Sequence, residues 1–348
     1  MIHRRKTRVV RVGKIGIGGG HPVSVQSMAK VKTADIARVL KQIRSLEHAG
    51  CEIIRVAVKD MSDARAIRRI KNSIFIPLVA DIHFDYRLAL CAIESGADKI
   101  RLNPGNIPYE RHVDEVVKHA KKRKVPIRIG VNSGSVKPGK SKKTGPGLLV
   151  SAAMGYIKMF ERRGFRDIII SLKSSDVDET VAAYRKLAGM CDYPLHLGVT
   201  AAGPNEAGIV KSAIGIGALL LDGIGDTIRV SLTGDPCREV SAGRMILKSL
   251  GLRDFGPVIV ACPTCGRCQV DIADIVDRLG RVVNGAPGRF KPLKIAVMGC
   301  EVNGPGEARG ADVGIAFGRG SGVLFKKGKI IRKINARDAV KIIIKEIS

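Results

Sequence analysis

Four of the chain's eight cysteines fall in one window near its C-terminal end, as Cys262-Pro-Thr-Cys265-Gly-Arg-Cys268 and then Cys300. Apolar runs of β type lead into both halves, Val258-Ile-Val-Ala261 before the first and Ala296-Val-Met298 before the second. Thiolates gathered this closely act as ligands far more often than as bystanders. The Cys-x2-Cys-x2-Cys spacing overlaps that of iron–sulfur proteins. It also suits a structural zinc, which asks for four tetrahedral nitrogen or sulfur ligands. A disulfide or inert buried thiols are the bland alternatives. Spacing alone allows Cys268 as the third ligand.

A second set of reactive residues stands at the ends of β-branched runs. These are Gln26 and Ser27, Arg55, Asp81 and His83, Arg101 and Asn103, Arg128 and Asn132, Lys173, His196 and Thr200, and Arg229 and Ser231. An arginine inside an apolar strand is costly unless paired. One such residue would be explained by a structural carboxylate. Four, with a lysine beside them, exceed the nearby acids and ask for an anionic ligand. Guanidinium forks match phosphate oxygens, so the reading is a diphosphate or doubly phosphorylated small molecule. Asp81 and His83 form a proton-handling or orienting pair, or a satisfied hydrogen-bonded one.

The elements that must position these groups alternate. Strands are expected at Val23–Gln26, Ile53–Val58, Pro77–Ala80, Lys99–Leu102, Ile127–Val131, Ile168–Leu172, Leu195–Val199 and Thr227–Val230. Helix-period stretches lie between and after them: Thr33–His48, Asp60–Lys71, Arg87–Glu94, Glu110–Lys122, Leu148–Arg163, Asp176–Leu187, Glu206–Ala218 and Arg238–Leu250. The repeat predicts a (β/α)8 TIM barrel over residues 1–250, whose site lies at the C-terminal ends of the strands. A doubly wound sheet is the competitor. Gly251–Pro257 reads as a linker, and residues 256–348 as a small α/β domain that a bound cluster would help hold together. Its expected strands are Val258–Ala261, Leu293–Val297, Val313–Phe317, Gly322–Phe325 and Ile330–Ile334, with helices at Gln269–Val283 and Ala336–Ile347.

Two motifs are decoys. Gly16-Ile-Gly-Gly-Gly20 resembles a dinucleotide turn but precedes a strand, not a helix. Gly134-Ser-Val-Lys-Pro-Gly139-Lys140-Ser141 matches the P-loop pattern, yet Gly145-Pro146-Gly147 is expected to interrupt the helix that motif needs, which leaves a basic loop.

The 348 residues are 45% hydrophobic with a formal charge of +28. A basic surplus implies acidic company, but the lysines and arginines are scattered, as on a solvated surface, and do not by themselves predict nucleic-acid binding. No apolar run approaches a membrane span. The basic start Met1–Lys6 has no apolar segment behind it, so no signal peptide and a reducing cytoplasm are expected.

Longer motifs add a resemblance. Pro22-Val-Ser-Val-Gln-Ser-Met28, Ala49–Val58, Val79-Ala-Asp-Ile-His-Phe-Asp85, Asp98-Lys-Ile-Arg-Leu-Asn-Pro-Gly-Asn106, Lys211–Gly215, Gly223–Leu232, Cys262–Cys265 and Asn303-Gly-Pro-Gly-Glu307 resemble the 4-hydroxy-3-methylbut-2-enyl diphosphate synthases, from about residue 10 to the end. That family comprises iron–sulfur reductases of the methylerythritol phosphate route to isoprenoids. The resemblance implies a [4Fe–4S] cluster on Cys262, Cys265 and Cys300, with Glu307 as a displaceable fourth ligand and catalytic group. It implies 2-C-methyl-D-erythritol 2,4-cyclodiphosphate as substrate, held by Arg55, Arg101, Arg128, Asn132, Lys173, Arg229 and Ser231. Reduced flavodoxin or ferredoxin would deliver single electrons to a homodimer, the cluster domain of one chain capping the barrel of the other. Cys268 is not part of the family pattern, which demotes it to a buried first-turn residue or a spare thiol. One further position departs: after Leu197-Gly-Val-Thr200 the family usually has glutamate, and Ala201 stands here, with Glu206 nearby. Two readings from other classes compete, a cluster-dependent RNA-modifying enzyme and a zinc-stabilised binding module.

Overall fold

The computed structural model describes residues 2–107, 109–135, 144–285, 289–300, 304–318 and 321–348. Contacts divide the chain into two units, Met1–Arg253 and Asp254–Ser348.

In the first unit eight parallel strands run in the order β8-β7-β6-β5-β4-β3-β10-β9. They are β3 (Ser24–Met28), β4 (Ile53–Val58), β5 (Leu78–Ile82), β6 (Lys99–Leu102), β7 (Ile127–Asn132), β8 (Ile168–Lys173), β9 (His196–Leu197) and β10 (Thr227–Ile228). An isolated parallel bridge from Ile170 to Leu195 brings β8 back to the segment leading into β9, closing the barrel. Strands covered on both faces lose the polar alternation of a half-exposed sheet, which is why β4, β5 and β8 read as nearly continuous apolar runs. The helices that follow are set by aspartates. Asp35, Asp60, Asp85, Asp176 and Asp235 each accept a backbone N–H at the first turn of α1 (Ile36–His48), α2 (Met61–Lys71), α3 (Tyr86–Glu94), α6 (Val177–Ala188) and α8 (Pro236–Ser249). The other barrel helices are α4 (Glu110–Arg123), α5 (Gly145–Arg162) and α7 (Asn205–Leu221).

Three expectations change. The glycine-rich start forms an antiparallel hairpin, β1 (Val10–Val12) with β2 (Ile15–Ile17). Its Val10, Val12 and Ile17 pack on Ile53, Val79 and Ile169, plugging the base of the barrel. Strands β9 and β10 are two residues each, shorter than expected. Pro194 cannot donate to a ladder, and at Gly198 two backbones come close, a Cβ there falling 2.6 Å from the Arg229 carbonyl oxygen. Finally, Gly145-Pro146-Gly147 opens α5 rather than interrupting it, because a first-turn proline gives up an N–H that has no helical partner. The helix still begins after Lys140 and Ser141, and residues 136–143 lie outside the described residues.

The second unit is one five-stranded sheet in the order β11-β12-β13-β14-β15. Strands β11 (Val258–Ala261), β12 (Lys294–Met298) and β13 (Val313–Phe317) are parallel, and β14 (Ser321–Lys326) and β15 (Lys329–Asn335) continue antiparallel. Helices α9 (Ile272–Gly285) and α11 (Ala339–Ile347) bury Ile272, Leu279 and Ile343 against Ile295, Val297, Ile315, Phe317 and Leu324. The short helix α10 (Gly304–Arg309) follows the β12 loop. Among the described residues no helix is long and apolar enough to cross a membrane.

Candidate active site

Period-two alternation turns the strand-end cations into the barrel. Arg55 of β4, Asp81 of β5 and Arg101 of β6 meet there, with Arg101 Nη1 donating to Asp81 Oδ1 at 3.1 Å and Arg55 Nε 3.7 Å from Asp81 Oδ2. His83 Nε2 lies 3.5 Å from Asp81 Oδ2 and 3.4 Å from Arg101 Nη1, on a half-exposed ring. Gly130 of β7 makes room for this group, since a Cβ there would stand 2.6 Å from Arg101 Nε. Across the mouth, Arg229 Nη2 donates to both oxygens of Glu239 at 3.1 and 3.2 Å. Glu239 also accepts from Ser27 Oγ and the Leu232 amide, and its Oε1 is 3.0 Å from Lys30 Nζ.

Positive charge remains in excess after these pairs form. Arg55, Lys99, Arg101, Arg128 and Lys173 are buried, and Arg229 nearly so, against the two carboxylates Asp81 and Glu239. Among the described residues, Arg128 Nε and Nη1, Arg101 Nε, Arg229 Nε and Lys99 Nζ have no hydrogen-bond partner. The electrostatics follow. Burial alone would raise the Asp81 carboxyl, but Arg55, His83, Arg101 and Arg128 outweigh it and hold the group far below the usual carboxylate range. Burial pushes Arg55 down to about 10, Arg229 and Arg101 adding to the effect and Asp81 opposing it. Burial, then Arg128, pushes Lys99, Lys173 and His196 well below their ordinary values. Two phosphates would relieve that repulsion and engage the unpartnered guanidinium nitrogens together.

Of the predicted residues, Arg55, Asp81, His83, Arg101, Arg128, Lys173 and Arg229 come together in this way. Asn132 stands beside Lys173 in the β7–β8 register. Ser231, just past β10, is half-buried. Ala201 is exposed, in the left-handed region at φ 48°, and Glu206 is exposed on the first turn of α7. Sequence reasoning missed Glu239, Lys30 and Lys99. Lys99 was legible as the residue two before Arg101, on the same strand face. Glu239 carries no local signal, being one acidic residue in the first turn of a helix.

The cysteines occupy the second unit. Cys262 continues the ladder beyond β11, its amide donating to the Val297 carbonyl at 3.2 Å. Thr264 takes φ 53° at the tip of the turn, and the Cys268 amide closes it onto the Cys265 carbonyl at 2.9 Å. From the β12 side, the Gly299 amide donates to Cys262 Sγ at 3.2 Å. Cys262, Cys265, Cys268 and Cys300 line one cavity of about 370 Å³ with Val260, Pro263 and Met298. Among the described residues no three His, Cys, Asp or Glu side chains converge as the ligands of a single ion would. A four-iron cluster would instead take one protein ligand per iron, so thiols spread around a largely apolar cavity fit it. An N–H to a ligand sulfur is also a known lever on cluster potential. Glu307 is on α10, and its side chain, like Asn303, lies outside the described residues.

Comparisons with known proteins cover both units of the chain. A family model described as the GcpE TIM-barrel domain matches residues 7–244, and one described as the GcpE protein C-terminal domain matches residues 258–348. A protein of Fusobacterium nucleatum is 51% identical over 347 residues, covering 99% of this chain and 97% of its own length. One from Caldanaerobacter subterraneus is 52% identical over 351 residues, covering 100% and 98%. One from Geobacter sulfurreducens is 52% identical over 347 residues, covering 99% and 98%. All three are named 4-hydroxy-3-methylbut-2-en-1-yl diphosphate synthase (flavodoxin). Among solved structures, a dihydropteroate synthase from Stenotrophomonas maltophilia aligns with a TM-score of 0.52 at 12% identity, covering 67% of this chain and 94% of that one. At that identity the likeness shows the barrel fold alone.

Proposed function

The chain belongs to the GcpE family, and from that premise we propose that it reductively opens and dehydroxylates 2-C-methyl-D-erythritol 2,4-cyclodiphosphate to 4-hydroxy-3-methylbut-2-enyl diphosphate. The observation that carries this reading is the excess of buried cations inside the barrel, six against two carboxylates among the described residues. An interior charged in this way suits a small ligand bearing two phosphates and little else.

Arg55, Arg101 and Arg128 bind the diphosphate from one side, and Lys173, Asn132, Arg229 and Ser231 from the other. Asp81 is held ionised and therefore orients Arg55 and Arg101 rather than donating a proton. His83, half open to solvent beside it, is the group assigned to move a proton, at Nε2. Buried Glu239 fixes Arg229 and the Leu232 backbone, and its pairing with Lys30 closes that edge. Cys262, Cys265 and Cys300 would hold the [4Fe–4S] cluster, with Glu307 at the fourth iron. When bound, that cluster would supply two single electrons and a Lewis-acidic iron. Reduced flavodoxin is the donor the relatives' name supports, with ferredoxin as the other candidate. The family resemblance supports a homodimer with the active site shared between chains, which sedimentation at twice the chain mass checks. A reducing cytoplasm suits eight thiols.

Anaerobic purification with an absorption spectrum and metal analysis is the test. A brown protein with about four irons per chain, turning over the cyclodiphosphate with reduced viologen, is the expected result. A colourless protein holding one zinc after reconstitution with iron and sulfide would overturn it. Tight, salt-sensitive RNA binding by a loaded but inactive protein would favour the RNA-modifying alternative.

A further inference from the structure

Helix α7 is apolar on its solvent side as well as on the side that packs against the barrel. Inward, Gly208, Ser212, Gly215, Ile216 and Leu219 are buried. Outward, Val210, Ile214 and Leu221 are 57%, 56% and 61% exposed, and Ala207 is exposed with them. We infer that this outward face is where two copies of the chain meet, α7 packing antiparallel on α7 about a twofold axis centred on Ile214. The inference deepens the homodimer reading given above and rests on it.

Spacing is the first argument. Ala207, Val210, Ile214, Gly217 and Leu221 recur at alternating steps of three and four residues, the seam along which paired helices pack. A helix that is apolar all round belongs in an interior, yet these side chains stand open to solvent in the single chain. Shape is the second. An antiparallel pair centred on Ile214 sets Leu221 opposite Ala207 and Val210 opposite Ala218, large against small, and Ile214 against its own copy. At Gly217 a Cβ would meet nothing within 4 Å, which leaves a notch in the seam for a side chain of the other copy.

Charge identifies the occupant. The chain carries a formal +28, so two copies repel over most of their surface. Helix α2 brings four cations and one acid in 11 residues. The 17 residues of α7 bring one of each, Lys211 and Glu206. An acidic partner is drawn to faces like that of α2, whereas a second basic copy needs a face without net charge. The seam is about 20 Å long and about 10 Å wide, short of the roughly 800 Å² that each partner buries in a stable interface. The neighbouring α8 therefore takes part, and its Met245 is 52% exposed. Because α7 joins β9 to β10, such a contact braces the barrel's two-residue strands from outside.

The test is sedimentation velocity, at low salt, of anaerobically loaded full-length protein as wild type, Ile214→Arg and Ile214→Glu, with circular dichroism as the check on folding. Wild type should sediment at twice the chain mass. Each substituted charge meets its own copy across the axis, so both variants should dissociate at concentrations at least ten-fold above those that dissociate wild type. Their equimolar mixture sets arginine against glutamate and should return to the dimer, which misfolded variants would not do. Variants as tightly dimeric as wild type would overturn the α7 face and leave the homodimer standing. A mixture that stays monomeric would overturn the pairing centred on Ile214. A monomeric wild type would overturn the homodimer reading itself, and this inference with it.

Discussion

Gly130 and Lys99 show how single residues set the chemistry of the barrel interior. A methyl group at Gly130 would stand 2.6 Å from Arg101 Nε, near the middle of a side chain already tied to Asp81. Gly130→Ala should therefore displace the guanidinium and weaken cyclodiphosphate binding by about 1 kcal/mol or more, the usual loss for a charged hydrogen bond. Calorimetry reads this directly, and unchanged affinity would show that Arg101 does not hold the ligand. Lys99, Lys173 and His196 make a second prediction. Each has its pKa lowered in the free protein, by burial first and by Arg128 next. A bound dianion favours their charged forms and raises those values again, so binding should take up protons and weaken as pH rises. Titrations in buffers of different ionisation heat would show net uptake; net release would mean that the ligand sits away from these groups.

Among the elements, the β1–β2 hairpin and the start of α5 were the least legible. The hairpin strands are three residues each, too short for any periodicity to declare itself. Their role is fixed by distant partners, Ile53, Val79 and Ile169 at the base of the barrel. Ile17→Ala should cost the barrel about 2–5 kcal/mol, as large-to-small changes in a packed core do. Denaturant unfolding followed in the barrel would show the loss, while the cysteine sites keep their iron loading. A loss below about 0.5 kcal/mol, the scale of a surface change, would mean that the hairpin does not plug the core. The eight long helices and the apolar strands were readable because burial on both faces, period 3.6 and aspartate caps all leave local marks. At α5 the same glycine–proline–glycine stretch supports either a break or a first turn, and only the packing of the helix chooses.

For the whole molecule the consequence lies in its charge. A formal +28 on 348 residues favours encounter with an acidic electron carrier, and such steering is screened within about 10 Å at 0.1 M salt. Turnover driven by reduced flavodoxin should fall steeply as salt is added, while turnover driven by a cationic viologen should not fall with it. Parallel salt curves for the two donors would place the limiting step after electron delivery.

By itself the sequence determined the repeating (β/α) pattern, the cationic strand ends and the thiol-rich window. Strand period, helix period and ligand type are all written locally. Tertiary structure alone decided which carboxylates answer those cations. Asp81 and Glu239 reach Arg101 and Arg229 from other elements of the barrel, and no spacing in the chain encodes their convergence. It also decided that Cys268 shares a cavity with Cys262, Cys265 and Cys300. That depends on Gly299, which lies on a different strand's loop and has no side chain to keep the sulfurs apart.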